Sequence, residues 1–185
     1  DFPMELKIPG AHNKQNAAMA AAVASYMGVS PVIGLEVIKE FGGLPYRLKF
    51  TKTVRGVSFY NDSASTNPQT AVAALKSFPG KIKILIAGGR DKNLDFRILS
   101  TAVNGEGVRA VVLFGECGAK IKKALGNAVP ISYSNNLENA VNSALRKASS
   151  GDVVIFSPGA TSFDMFKNYR ERGDAFNRIV KKLKG

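Results

Sequence analysis

The segment IKILIAGGRDK, residues 82–92, decides the fold class, because an apolar run ends at a glycine pair and then turns charged. Similar apolar runs follow at 110–114 and 153–156. Runs of this kind are typical of strands buried on both faces of a parallel sheet. The segments between them show helical patterns at 95–103, 118–125, 137–147 and 165–182, with a short strand at 131–133. This order predicts an α/β fold, a doubly wound, Rossmann-like and mostly parallel sheet.

The segment just upstream of this sheet predicts a hairpin followed by a helix. Residues 48–53 and 57–60 have the residue types of two paired strands. After them, Asn67 is placed to cap a helix, and Pro68 suits its first position because proline has no N–H to leave unbonded.

The first part of the chain predicts a pair of short helices, at 13–27 and 31–41. The stretch 17–35 carries no charge and is long enough to cross a membrane. It is mostly alanine, however, and its Ser, Gly and Pro residues end one helix and start the next. We therefore predict two helices of a globular protein and no membrane span.

The composition is that of an average globular protein, with 45% hydrophobic and 22% charged residues among 185. It excludes disordered, collagen-like and coiled-coil classes. Cys117 and His12 are the sole residues of their types, so an intrachain disulfide and a four-ligand structural zinc site are excluded. Neither residue lies in the sequence context of a hydrolase nucleophile, which argues against Ser-His-Asp and Cys-His catalysis.

The net charge of +12 is the unusual number. Residues 1–44 hold three basic and four acidic residues, so the whole excess lies in 45–185. No zinc finger, RNP signature or Arg-Gly repeat accompanies the charge. Solvated lysine clusters and anionic small-molecule ligands are the simpler explanation, and a basic α/β nucleic-acid-binding module is the disfavoured alternative.

Two common nucleotide-binding motifs are absent from the sequence. The one Gly-Lys pair, at 80–81, lacks the rest of a phosphate loop, and no third glycine completes a dinucleotide motif after the strand that ends near residue 88. Small residues instead enrich three loops at predicted strand ends, at 88–92, 115–118 and 157–162. Each is predicted to open onto a helix, where backbone N–H groups could hold an anion.

Two clusters of polar side chains complete the candidate chemistry. Asn13 and Asn16 share a helix face, and their amides suit either a nucleobase edge or, for Asn13, a helix cap. The run at 60–68 is dense in short polar side chains, which suits either a capped loop or a ligand-binding loop.

Five motifs in this order resemble the C-terminal part of the Mur ligase family: PGAHNKQNAA (9–18), GLPYR (43–47), NDSASTN (61–67), GGRDK (88–92) and SPGATSFDMFKNY (157–169). The resemblance covers nearly the whole chain, which begins without Met and is interpreted as a piece of a longer protein. The third motif resembles the D-glutamate-adding members of the family. The resemblance implies that residues 1–44 end a central ATP-binding domain and 45–185 form the C-terminal, acceptor-binding domain.

The resemblance also implies roles for individual residues. Asn13 and Asn16 would contact adenine, while Arg47 and Asp62 would contact the phosphates and ribose. The expected catalytic cations are Lys92 and Arg47. The acceptor substrate would be held by Thr66, Lys92, Ser162, Phe163 and Tyr169, with Phe163 offering a helix-start N–H. Ala64 departs from the family, whose members often have Lys there.

The implied reaction uses ATP to convert the carboxylate of UDP-N-acetylmuramoyl-L-alanine into an acyl phosphate, which the amine of D-glutamate attacks. Mg²⁺ is expected with ATP, on ligands outside this chain. The implied partners are these substrates and the remaining domains of the same cytoplasmic enzyme, with no membrane partner. The chain alone is expected to be inactive. A related ligase with another acceptor, such as a folylpolyglutamate synthase, is an alternative against which the motif at 61–67 argues.

Overall fold

The computed structural model describes residues 5–184. The chain divides into two compact units, Asp1–Leu44 and Pro45–Gly185. Residues 1–4 of the predicted first segment and residue 185 lie outside the described residues.

The first unit contains the two expected helices, α1 at Ala11–Tyr26 and α2 at Pro31–Glu40. The left-handed backbone of Gly28, at φ 86°, ends the first helix in a conformation that glycine adopts without steric cost. Pro31 occupies the first turn of α2, as predicted. α1 begins two residues before the predicted start, so Asn13 lies within its first turn.

The second unit is built around a six-stranded sheet in the order β1-β2-β6-β3-β4-β5. β1 pairs with β2 antiparallel, and every other pair is parallel. The doubly wound, mostly parallel sheet is thereby confirmed. Its strands are β1 Lys49–Val54, β2 Val57–Asn61, β3 Lys83–Gly88, β4 Val108–Phe114, β5 Ile131–Ser134 and β6 Val153–Phe156. Its helices are α3 Pro68–Lys76, α4 Arg97–Gly105, α5 Gly118–Leu125, α6 Leu137–Lys147 and α7 Tyr169–Lys182.

Helices cover both faces of the sheet. Alternate residues of β3 point to opposite sides: Leu85 packs in one core with α3, α4 and α5, while Ile84 packs in the other with α6 and α7. In the second core Phe176 stacks on Phe156, with ring centroids 4.5 Å apart. Two buried faces explain why the strands are apolar throughout instead of alternating.

Two details of the elements depart from the prediction. The helix predicted over 165–182 begins only at Tyr169, because Asn168 is extended and its side chain accepts hydrogen bonds from the N–H groups of Arg170 and Glu171. The apolar run of β3 also contains a buried lysine, Lys83, whose ammonium donates to the backbone carbonyls of Lys81 and Glu106.

Within residues 5–184, no helix combines the length and the apolar character that crossing a membrane requires.

Candidate functional site

The carboxyl ends of β2, β6, β3 and β4 come together at one edge of the sheet. Glycine is required there at two positions, since a Cβ on Gly88 would lie 1.8 Å from the Phe114 carbonyl oxygen and one on Gly89 would lie 2.2 Å from that of Thr161. Both residues also have positive φ. The loops after three strands are therefore packed backbone to backbone. This edge is where ligands bind in doubly wound folds.

Asp62, at the end of β2, is a buried carboxylate with a partner on each oxygen. Its Oδ1 accepts from the N–H of Leu48 at 3.1 Å, and its Oδ2 accepts from Ser157 Oγ at 2.7 Å. Burial raises the pKa of Asp62 to about 7, although these two donors and the nearby Arg47 and Arg172 oppose the rise. Asp62 ties together the loop before β1 and the loop after β6.

Arg47 lies exposed in a backbone segment that is held in place on both sides. Its neighbours Tyr46 and Leu48 have φ of 63° and 45°, a left-handed conformation that is rare for bulky residues. The Tyr46 carbonyl accepts from Ala64 N–H at 3.0 Å, and its hydroxyl donates to Asp174 at 2.8 Å. Together with the Leu48–Asp62 bond, these contacts fix the backbone that presents the guanidinium. Such strain persists only where the surroundings over-determine it.

Lys92 lies on the exposed loop after β3, with its ammonium 5.1 Å from the centre of the Phe163 ring. The preceding residue anchors this loop, because both oxygens of Asp91 accept from Lys120 on α5 at 3.0 Å. Hydrogen bonding and the charge of Lys120 hold the pKa of Asp91 below its usual range. Two residues predicted from separate motifs, 71 positions apart in the sequence, are thus in contact.

The loop after β6 places Ser162 and Phe163 in a turn and not at a helix start. The Ser162 carbonyl accepts from the N–H groups of Met165 and Phe166, and α7 begins six residues after Phe163. The expected helix-start N–H at Phe163 was therefore wrong. Ser162 is buried and Phe163 is half exposed. Sequence analysis missed Thr161, whose Oγ1 is a buried oxygen without a hydrogen-bond partner among the described residues.

Tyr169, the first residue of α7, packs beside the Arg47 segment. Its ring meets that of Tyr46 edge-on at 6.1 Å, and its carbonyl accepts from Ser63 Oγ at 2.8 Å. Thr66 follows on the same loop as Ser63, half-buried, one residue before Asn67 caps α3. Tyr169 therefore links the motif at 61–67 to the motif at 43–47.

Arg172 on α7 is the residue that sequence analysis missed most clearly. It is fully buried, and its guanidinium donates to Ser63 and to the Ala160 carbonyl. Desolvation lowers its pKa to about 10. A signal was available, since Arg172 precedes Phe176 and Val180 at the four-residue spacing of one helix face, and both of these are core residues. A cation in an apolar stripe is unusual, so this spacing could have singled out Arg172 for closer attention.

Asn13 and Asn16 lie side by side in the first unit. Asn13 Nδ2 donates to the Pro9 carbonyl at 2.6 Å, and Asn16 Nδ2 donates to Asn13 Oδ1 at 3.3 Å. Asn16 is exposed, and its amide oxygen has no hydrogen-bond partner among the described residues. The pair can offer an acceptor to a ligand, and the adenine contact stays a prediction.

The described residues at this edge of the sheet offer positive charge and an unpaired hydroxyl to a ligand. Residues 5–184 contain no group of three or more His, Cys, Asp or Glu side chains that could hold a metal. Arg47 and Lys92 are exposed cations without a carboxylate partner among the same residues, and the orphaned Thr161 hydroxyl is a donor beside Ser162. Each oxygen of Asp62 accepts one hydrogen bond, which leaves a lone pair on each for a ribose hydroxyl.

Solved structures of known proteins share this architecture. A type C pseudomurein peptide ligase from Methanothermus fervidus matches 98% of this chain and 38% of its own at a TM-score of 0.69, with 17% identity. A folylpolyglutamate synthase of Mycobacterium tuberculosis, complexed with ADP and AMPPCP, matches 94% and 41% at a TM-score of 0.69, with 16% identity. At these identities the likeness concerns the fold alone.

Relatives found by sequence have a higher sequence identity to this chain than these structures do. A protein of Aquifex aeolicus named UDP-N-acetylmuramoylalanine–D-glutamate ligase is 44% identical over 96% of this chain and 43% of its own length. Proteins of the same name from Acidobacterium capsulatum and Pseudomonas fluorescens are each 42% identical, over 95% and 97% of this chain. The chain spans 38% to 43% of the length of these three relatives. The family model described as "Mur ligase, glutamate ligase domain" matches residues 46–159, and this chain therefore belongs to the Mur ligase family.

Proposed function

We propose that this chain is the C-terminal part of an ATP-dependent ligase that adds D-glutamate to UDP-N-acetylmuramoyl-L-alanine in peptidoglycan biosynthesis. The observation that carries the proposal is its similarity, along 96% of its length, to a relative named for that reaction. On this proposal residues 1–44 end the ATP-binding domain, and 45–185 form the acceptor-binding domain. The enzyme would work in the cytoplasm, together with its remaining domains.

The acceptor site proposed for D-glutamate lies at the edge of the sheet that carries Lys92, Thr66, Ser162, Phe163 and Tyr169. Lys92 supplies a point charge for a carboxylate, and the hydroxyls of Ser162 and Thr66 supply directed donors. The Phe163 ring beneath Lys92 restricts where the ammonium can lie. A dicarboxylate suits this arrangement because several donors on different loops can share its two charged groups.

Positioning the amine is the main task of this domain in the proposed reaction. The neutral amine of D-glutamate attacks the acyl carbon of the precursor's acyl phosphate, a C–N bond forms while the C–O bond to phosphate breaks, and the proton lost by the amine leaves with the phosphate. Holding the two carboxylates fixes the amine relative to the reacting carbon and turns a bimolecular step into an effectively unimolecular one. Arg47 would neutralise phosphate charge with its planar guanidinium.

ATP, when bound, would supply the phosphoryl group of the acyl phosphate. Asn13 and Asn16 are proposed to contact adenine, Arg47 the phosphates and Asp62 the ribose. Mg²⁺ would accompany ATP, on ligands expected outside this chain.

The test is replacement of Lys92 by Ala in the complete ligase. We expect the KM for D-glutamate to rise by about tenfold or more, while the KM for ATP changes little, because the lost charge faces the acceptor carboxylate. Lys122→Ala is the matched control, since Lys122 also lies over an aromatic ring, at 5.7 Å from the centre of Tyr133. Unchanged D-glutamate kinetics in the Lys92 variant would exclude the acceptor role.

A further inference from the structure

Arg172 is a buried cation that forms no direct salt bridge among the described residues, although the charges of Asp164 and Asp62 favour its charged form. Its relative exposure is 0%, and within residues 5–184 no carboxylate lies within salt-bridge distance of it. It is stabilised by three hydrogen bonds: Nε donates to Ser63 Oγ at 3.1 Å, Nη2 to the Ser63 carbonyl at 2.9 Å, and Nη1 to the Ala160 carbonyl at 3.0 Å. Burying an unpaired charge is costly, so a chain gains little stability from this residue alone.

The partners of Arg172 belong to the loops that carry the proposed acceptor residues. Ser63 lies three residues before Thr66 in the loop after β2. Ala160 lies two residues before Ser162 in the loop after β6. A third loop lies beside the guanidinium, since a Cβ added to Gly89 would lie 3.0 Å from Nη1, and Gly89 lies three residues before Lys92. One guanidinium therefore hydrogen-bonds two of the loops and lies beside the third.

Arg172 also connects these loops to α7. Ser63 Oγ accepts from Arg172 Nε and donates to the carbonyl of Tyr169, at 2.8 Å. Tyr169 lies three residues before Arg172 on the same helix, which places the two side chains on neighbouring turns of one face. The first turn of α7 and the loop after β2 are thus held together by a short relay of hydrogen bonds.

We infer that Arg172 is the positioning residue of the acceptor site. Its planar guanidinium sets the distances among the segments that carry the proposed acceptor residues, which are Thr66, Lys92, Ser162 and Tyr169. The inference rests on the proposed function for the identity of the acceptor. Arg172 is fully buried and acts through these segments, so it does not touch the acceptor itself. An arginine is required because its donors diverge in one plane, whereas an ammonium cannot reach Ser63 and Ala160 with the same geometry.

Lys83 provides a matched control for this role. It is also a buried cation, at 1% exposure, and its ammonium donates to backbone carbonyls. It lies at the start of β3, the opposite end of the strand from Gly89. Removing either cation perturbs the core, but only Arg172 contacts the loops of the acceptor site.

The experiment compares Arg172→Lys and Arg172→Met with Lys83→Met in the complete ligase. We expect Arg172→Lys to raise the KM for D-glutamate about tenfold while changing the KM for ATP less than about twofold. Arg172→Met is expected to raise the KM further. Lys83→Met is expected to lower the midpoint of thermal unfolding with no change in either KM.

Arg172→Lys keeps the charge and most of the side-chain volume, so it still tests the inference if Arg172→Met fails to fold. An unchanged KM for D-glutamate in a folded Arg172→Lys enzyme overturns the inference. Equal increases of the KM in Arg172→Lys and Lys83→Met at equal loss of stability also overturn it, because the effect would then follow from stability alone.

Amide hydrogen exchange separates this inference from the proposed function. We expect Arg172→Lys to accelerate exchange in residues 61–66 and 157–163, and Lys83→Met to leave both segments unchanged. If the wild-type ligase does not use D-glutamate, the proposed function fails while the exchange result still decides whether Arg172 positions these loops. Equal exchange in wild type and Arg172→Lys would refute the positioning role even in an active ligase.

Discussion

The buried carboxylate of Asp62 makes the stability of this chain depend on pH. An aspartate normally titrates near 3.8, and burial raises the pKa of Asp62 to about 7. The folded protein therefore keeps a proton between these pH values that the unfolded chain has already lost. The stabilising effect is complete below about pH 4, declines as pH rises to about 7, and amounts to about 4 kcal/mol.

The measurement is the free energy of unfolding in urea from pH 4 to pH 8, for the chain and for Asp62→Asn. The amide keeps the shape of the carboxylate without titrating, so the difference between the two curves isolates Asp62. We expect wild type to lose stability relative to the variant across this window. Ser157→Ala removes a donor to the ionised carboxylate and is expected to extend the decline to higher pH. Parallel curves for wild type and Asp62→Asn would contradict the raised pKa.

The sequence indicated candidate site residues more readily than the contacts between them. The motif at 88–92 singled out Lys92, but the sequence did not indicate that Phe163 lies beneath its ammonium, because parallel pairing of β3 with β6 brings the two loops together. The orphaned hydroxyl of Thr161 was missed for a similar reason. Thr161 forms a backbone bridge with Arg90 in the loop after β3, a contact between distant segments that the sequence does not indicate.

The segment Pro45 to Leu48 is an element whose shape depends on a glycine in a distant helix. A Cβ on Gly173 of α7 would lie 2.3 Å from Cδ1 of the Tyr46 ring. Gly173→Ala must therefore displace Tyr46, and with it the backbone that presents Arg47. We expect the KM for ATP in the complete ligase to rise about tenfold, since a small displacement of a positioning group weakens catalysis strongly.

The control for this prediction is Gly105→Ala. Gly105 also lies in a helix, and a Cβ there would have no neighbour within 4 Å. This substitution is expected to stabilise the protein by about 0.5 kcal/mol and to leave the kinetics unchanged. If Gly173→Ala binds ATP as wild type does, then either Tyr46 yields without moving Arg47 or Arg47 does not bind the phosphates.

The first residue of a helix was predicted well where one local signal marks it, and less well where two signals compete. Asn67 and Pro68 marked the start of α3, and the side chain of Asn67 accepts from Thr70 N–H as a cap should. The start of α7 was missed by four residues, because Phe166 is spaced like a helical core residue ahead of the true cap at Asn168. The hydrogen bonds of that cap outweigh the hydrophobic pattern.

The distribution of charge over the whole molecule explains much of its basic character without a nucleic acid. Basic residues occupy the last turns of α5, α6 and α7: Lys122, Lys123, Arg146, Lys147, Lys181 and Lys182. Cations at helix C-termini interact favourably with the helix dipole. Because these helices run antiparallel to the parallel strands, their C-termini lie at the edge of the sheet opposite the candidate site. Much of the excess charge therefore stabilises helices and is remote from the proposed acceptor.

This explanation predicts a stability effect that depends on salt. Replacing Lys123 and Lys147 together by Gln should lower the free energy of unfolding by about 1 kcal/mol at low ionic strength, and by less in 0.5 M salt, because ions screen the charge–dipole interaction. Arg178→Gln is the control: this exposed cation lies before the last turn of α7, where the dipole has less effect, so stability should stay within about 0.5 kcal/mol. A salt-independent loss, or an equal loss in the control, would contradict the dipole explanation. A steep salt-dependent affinity of wild type for duplex DNA, abolished by the double substitution, would instead support the nucleic-acid alternative.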